Sequence, residues 1–182
     1  MLLEEMASFL RDNVEPLPAQ LPFGKRFRVS GVMKDGTRLP CIVFESSTNW
    51  IDLAIRRFDQ TRKAWGKQTE YRSIVSLFVT KGNTVNDYDL ADISLSSNAI
   101  PLQALSQIGG ETSMSWTEFY AEMSDGAEFR FGTSFLTEFF DMPDGYSATD
   151  ISKITPAVRG QLPRIERIYR EKPFFTCYAE WL

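Results

Sequence analysis

Between positions 56 and 72 the chain gathers positive charge and flat aromatic surface: Arg56, Arg57, Phe58, Arg62, Lys63, Trp65, Lys67, Tyr71 and Arg72. Arg and Lys neutralise phosphates while aromatic rings stack on unpaired bases, so this segment has the chemistry to hold single-stranded RNA or DNA. The same residue types dominate protein interfaces, where they would meet an acidic surface. The net charge of −4 opposes nonspecific attraction to a nucleic-acid backbone and favours the protein partner. A second, smaller patch lies further on. Trp116 and Tyr120 alternate with Met114 and Glu118 on one face of an expected strand, a mixture that reads as a partly exposed contact surface of high area and low ordering cost.

Catalytic chemistry has less to work with. The chain contains no histidine, which removes histidine-based triads, histidine general bases and the commonest zinc ligand. Cys41 and Cys177 stand too far apart to form a finger-like pair. Neither a phosphate-binding loop nor a dinucleotide fingerprint occurs. Carboxylates remain: Asp87, Asp89 and Asp92 form one group, and Asp141, Asp144 and Asp150 another. Such oxygen-rich groups can bind calcium or magnesium, which leaves a histidine-free, metal-assisted hydrolase as the enzymatic reading. Short acidic side chains also cap turns by bonding to their own backbone, and that reading needs no metal. The expectation is therefore no catalytic residue, no metal and no cofactor.

A chain of 182 residues, 43% hydrophobic and with fourteen Phe, is long enough for one substantial core or two modest ones. No apolar run reaches the roughly 20 residues of a membrane helix. The first ten residues carry Glu4 and Glu5 and lack the basic start of a secretory signal. With only two cysteines, a reducing cytoplasm is the expected setting, although one long-range disulfide is conceivable. Charge is uneven: residues 25–72 balance at +6, residues 73–150 at −10, and residues 151–182 at +3. That asymmetry suits either a partner surface or simple solvation.

These residues need elements to position them. Leu2, Leu3, Met6, Phe9 and Leu10 recur at helical spacing, predicting an amphipathic helix that covers one end of a sheet. Two Asp-Gly pairs, Asp35-Gly36 and Asp125-Gly126, sit ninety residues apart inside alternating runs, each a strong hairpin signal. Strands are expected near 26–34 and 37–45, with Pro40 restricted to an edge or bulge. Further strands are expected at 50–56, 71–79, around Leu90 to Leu95, at 164–169 and at 174–181. Pro101 to Ile108 reads as a short helix, and Phe135 to Phe140 as one or two helical turns. The expected fold is mainly β with minor helices, built as two curved-sheet or SH3-like, partly open barrel units, an internal duplication being one origin. One continuous α+β fold is the alternative. The expected division is residues 1–97, a connecting helix at 98–110, and residues 111–182.

Residues 2–12, Met33-Lys34-Asp35-Gly36 and Trp50-Ile51-Asp52-Leu53 together resemble the opening of the Sm-like small barrels, in which a helix precedes a bent antiparallel sheet. The resemblance covers at most residues 1–80 and implies RNA contact and ring assembly. Pro40-Cys41 stands where the family has a glycine, and its Arg-Gly signature is absent. The functional expectation is a noncatalytic cytoplasmic interaction or accessory protein whose basic, aromatic surface meets an acidic protein. A bacterial toxin-neutralising protein needs no more than that. A single-stranded nucleic-acid-binding module is the alternative.

Overall fold

The computed structural model describes residues 1–18, 24–46, 52, 55–56, 82–134, 136–158 and 167–182. The chain divides into two compact units: residues 1–93 with 175–182, and residues 94–174.

The first unit opens with helix α1 (Leu3–Asn13), whose start is tied by the Glu5 carboxylate accepting the Leu2 backbone N–H at 2.7 Å. Its Met6 and Leu10 are buried in the core of the following sheet, as the apolar spacing requires. Strands β1 (Arg26–Met33) and β2 (Arg38–Ser46) form an antiparallel hairpin. At its tip the Gly36 N–H donates to the Met33 carbonyl, the Met33 N–H donates to the Thr37 carbonyl, and the Thr37 N–H donates to Asp35 Oδ1. Gly36 has φ +89°, the left-handed position that glycine occupies without a Cβ clash. Strands β3 (Thr84–Asn86) and β4 (Leu90–Leu95) follow, separated by a 3-10 turn at Asp87–Asp89.

The fifth strand of this sheet comes from far along the chain. Strand β9 (Phe175–Ala179) inserts between β2 and β3, parallel to both, giving the order β3-β9-β2-β1-β4. Cys177 and Ala179 enter the first core beside Phe44, Ile42 and Val29. Sequence spacing associates this strand with the second unit, yet its register runs Ile42 to Phe175 and Phe44 to Cys177. Among the described residues, pairing with β9 begins at Ile42, and Pro40 sits opposite the irregularity in β1 between Val29 and Gly31, its carbonyl accepting from the Ser30 hydroxyl at 2.9 Å.

The second unit repeats much of this plan. A short helix α2 (Leu102–Leu105) precedes the hairpin β5 (Thr117–Met123) and β6 (Glu128–Thr133). Its tip has the same bonds at the same offset: Gly126 to Met123, Met123 to Ala127, and Ala127 to Asp125 Oδ1, with Gly126 at φ +87°. A 3-10 turn at Ala148–Asp150 leads into β7 (Ile151–Pro156), and β8 (Ile168–Arg170) completes the order β7-β5-β6-β8. In each unit the turn before the outer strand anchors to the hairpin tip. The Lys34 N–H donates to Asp89, and the Ser124 N–H donates to Asp150. The second core stacks Phe119 on Phe131 with Phe140 edge-on to both.

The fold is mixed α+β with two sheet-containing regions, and the expectation of barrels is corrected. Among the described residues both sheets are open and mixed, with β3 and β4 at the edges of one and β7 and β8 at the edges of the other. A barrel requires its edge strands to pair; here each hairpin instead takes a parallel neighbour on one side, β9 or β8, and an outer strand on the other, β4 or β7. The likeness to Sm-like barrels loses its architectural basis with it. Two local expectations also change. Asp52, Ile55 and Arg56 are helical rather than extended, and residues 136–140 contain no helix. Phe139 and Phe140 are instead fully buried, Phe140 through an isolated bridge to Glu171. Their adjacent and i+3 spacing reflects a packed irregular segment. The strand expected at 71–79 lies outside the described residues.

Candidate interaction surface

Of the basic segment, Arg56 is exposed and bonds through Nε to the Asp52 carbonyl at 3.3 Å. Arg57, Phe58, Arg62, Lys63, Trp65, Lys67, Tyr71 and Arg72 lie outside the described residues. The described candidate site is therefore the outer face of the second sheet.

That face is organised around Trp116. Its indole lies against Gly132 on the neighbouring strand, so closely that a Cβ there would meet Trp116 Cζ2 at 2.3 Å. Its Nε1–H donates to Glu118 Oε1 at 2.7 Å, and the other carboxylate oxygen accepts from Arg130 Nε at 2.8 Å. Both charged side chains are about nine-tenths buried, at 13% and 9% exposure. A buried carboxylate so placed needs its cation. The guanidinium of Arg170 then stacks over the Trp116 ring, 5.2 Å from its centroid. Just before the edge strand β8, Arg167 stacks at 4.6 Å over Tyr169, a ring of the second core on the opposite side of the sheet. Both Arg167 and Arg170 are exposed. A guanidinium held over a ring keeps its N–H edge available to carboxylates and loses less freedom when it binds one.

The approach to Trp116 is a tight turn. Trp116 donates to the Ser113 carbonyl, while the Thr112 and Ser113 N–H groups and the Thr112 hydroxyl all converge on the Trp116 carbonyl. Ser115 adopts φ +59°, the sole non-glycine at positive φ among the described residues, and Met114 at the tip is 92% exposed. An outlier of this kind is a pointer to a functional loop.

Trp116 is half-buried and Tyr120 is buried at 8% exposure. The two share a sheet face, but Tyr120 offers little contact surface. Its hydroxyl has no hydrogen-bond partner among the described residues. Burial pushes that phenol above its ordinary value, with Arg130 acting in the opposite direction. Alternation in the sequence located this face but left out Glu118 and Arg130 as a pair and Arg170 of β8. The Glu118–Arg130 pair had a legible signal: the residues straddle Asp125-Gly126 at spacings that put both on one face of a hairpin.

Most of the carboxylates in the two groups are engaged by local turn bonds or by single longer-range partners. Asp87 accepts from the Tyr88 N–H and from Trp181 Nε1, Asp89 from Asn86, Asp150 from the Ser147 N–H, and Asp141 from Lys172. Among the described residues, no cluster of three or more Asp, Glu or Cys could hold a metal ion. Cys41 and Cys177 are both buried thiols, and burial pushes Cys177 far above the ordinary thiol range. Among the described residues no helix is long and apolar enough to cross a membrane. The chain matches no protein-family model, no curated protein and no solved structure.

Proposed function

We propose that this is a noncatalytic interaction protein whose partner is a protein with an acidic surface. The observation that supports the reading is the exposed guanidinium of Arg170, on β8, stacked over Trp116 on the outer face. Arg and Trp are the residues most enriched where binding energy concentrates. Here the Trp is fixed by Glu118 and Gly132, so little ordering accompanies binding. Met114 beside it supplies an adaptable apolar contact. The basic segment at residues 56–72 would extend the same preference for acidic surface. The shared hairpin tips and the ninety-residue offset further support an origin by internal duplication.

The test is affinity capture from the native cell with wild type and Arg167→Glu/Arg170→Glu. The reading expects acidic proteins that wild type retains at low salt, releases as salt rises, and loses in the charge-reversed variant with unchanged circular dichroism. A captured set indifferent to both salt and variant would refute it.

A further inference from the structure

The first unit contains a cleft of about 340 Å³ that the interaction surface does not use. Its walls are α1 through Ala7, Leu10 and Arg11, the Gly24-Lys25 approach to β1, Phe27, Ser46, and Trp181 with Leu182. Three of these side chains give it an apolar, partly aromatic lining: Leu10 and Phe27 are buried core members, and Trp181 packs against that core. Trp181 is fixed in place. Its Nε1–H donates to Asp87 Oδ2 at 2.7 Å and its ring lies 5.9 Å from Phe44. The indole thus has its one polar atom satisfied on the far side and turns hydrocarbon to the cleft. Gly24 enters β1 at φ +65°, a conformation that a larger residue would adopt only with strain.

Among the described residues, the charged side chains of the lining are both cationic. Arg11 and Lys25 are both exposed. Arg11 donates to Ser8 Oγ at 3.4 Å and approaches Asp12 at 3.9 Å, with the Arg11 and Asp12 side chains both solvated, contacts of little energetic consequence. The nearby Glu45 is already engaged, bonded to Arg26 at 2.8 Å. We propose that this cleft binds a small amphipathic carboxylate, its apolar body against Leu10, Phe27 and Trp181 and its anionic head between Arg11 and Lys25. A cleft of this volume lies at the small end of the range for small-molecule sites, which suits a ligand of about ten carbons. Apolar walls with a few placed polar groups are the usual composition of small-molecule sites.

The experiment is titration calorimetry of the full chain with decanoate and, as an equal-length cation, decylammonium. Decanoate should saturate one site and bind at least tenfold more tightly than decylammonium. Arg11→Gln/Lys25→Gln, which alters two exposed side chains, should weaken decanoate at least tenfold with an unchanged unfolding midpoint. Equal affinity for the two amphiphiles, undiminished binding by the double variant, or no saturable binding would each overturn the proposal.

Discussion

Replacing Glu118 by Ala tests the reasoning about the second sheet most directly. The substitution removes the carboxylate that bonds Trp116 Nε1 and Arg130, leaving a guanidinium about nine-tenths buried without its anion. Breaking a buried pair from one side costs about 3–5 kcal/mol, because the remaining charge is desolvated and uncompensated. Losing the acceptor of a partly buried indole N–H adds about 1 kcal/mol. With a urea slope near 2 kcal/mol/M, the midpoint should fall by about 2–3 M. The companion variant Glu118→Leu/Arg130→Met replaces the pair with hydrocarbon and should recover most of that loss. Urea unfolding followed by circular dichroism and tryptophan emission measures both. A loss below about 1 kcal/mol in the single variant, or a double variant as unstable as the two single changes added together, would show that the pair is not buried as described.

Gly36→Ala and Gly126→Ala should each cost about 1–2 kcal/mol, and nearly equally, since both sit at positive φ with open space around an added Cβ; urea midpoints measure this. Gly132→Ala should displace the Trp116 indole, cost about 1–3 kcal/mol and shift tryptophan emission, because its Cβ would meet Cζ2 at 2.3 Å. Tyr146→Phe should raise the Asp125 pKa, read by NMR titration. The Tyr146 hydroxyl, donating at 2.7 Å, is the chief cause holding that carboxyl below its ordinary value, helped by the Ala127 N–H. A depressed folded-state pKa stabilises the fold above the unfolded value and ceases to do so as pH falls through the folded value, so the difference between wild type and Tyr146→Phe should vanish in acid.

Local chemistry made the hairpins legible. Asp35-Gly36 and Asp125-Gly126 specify their turns through a cap and a positive φ, and alternation fixes which faces are buried. Helix α1 was legible for the same reason, since Met6 and Leu10 recur at helical period. What escaped is nonlocal. Nothing in Phe175–Ala179 announces that it will lie parallel to β2, because parallel pairing leaves no turn between its members. The Phe139-Phe140 segment misled because packing, not periodicity, buries it. At the candidate surface, Trp116 and Tyr120 share a face as alternation required, but the setting of Trp116 depends on Gly132 and Arg170, residues remote in sequence.

The placement of β9 has a consequence for synthesis. Parallel to β2 and β3, it supplies Cys177 and Ala179 to the first core. A ribosome delivers residues 84–86 long before residue 179, at about 5–20 residues per second. The first sheet therefore exists for several seconds as two separated fragments with the backbone of β2 exposed on one side. The opening half of this polypeptide is born first and finished last, and a chaperone able to shield a bare strand would act in that interval.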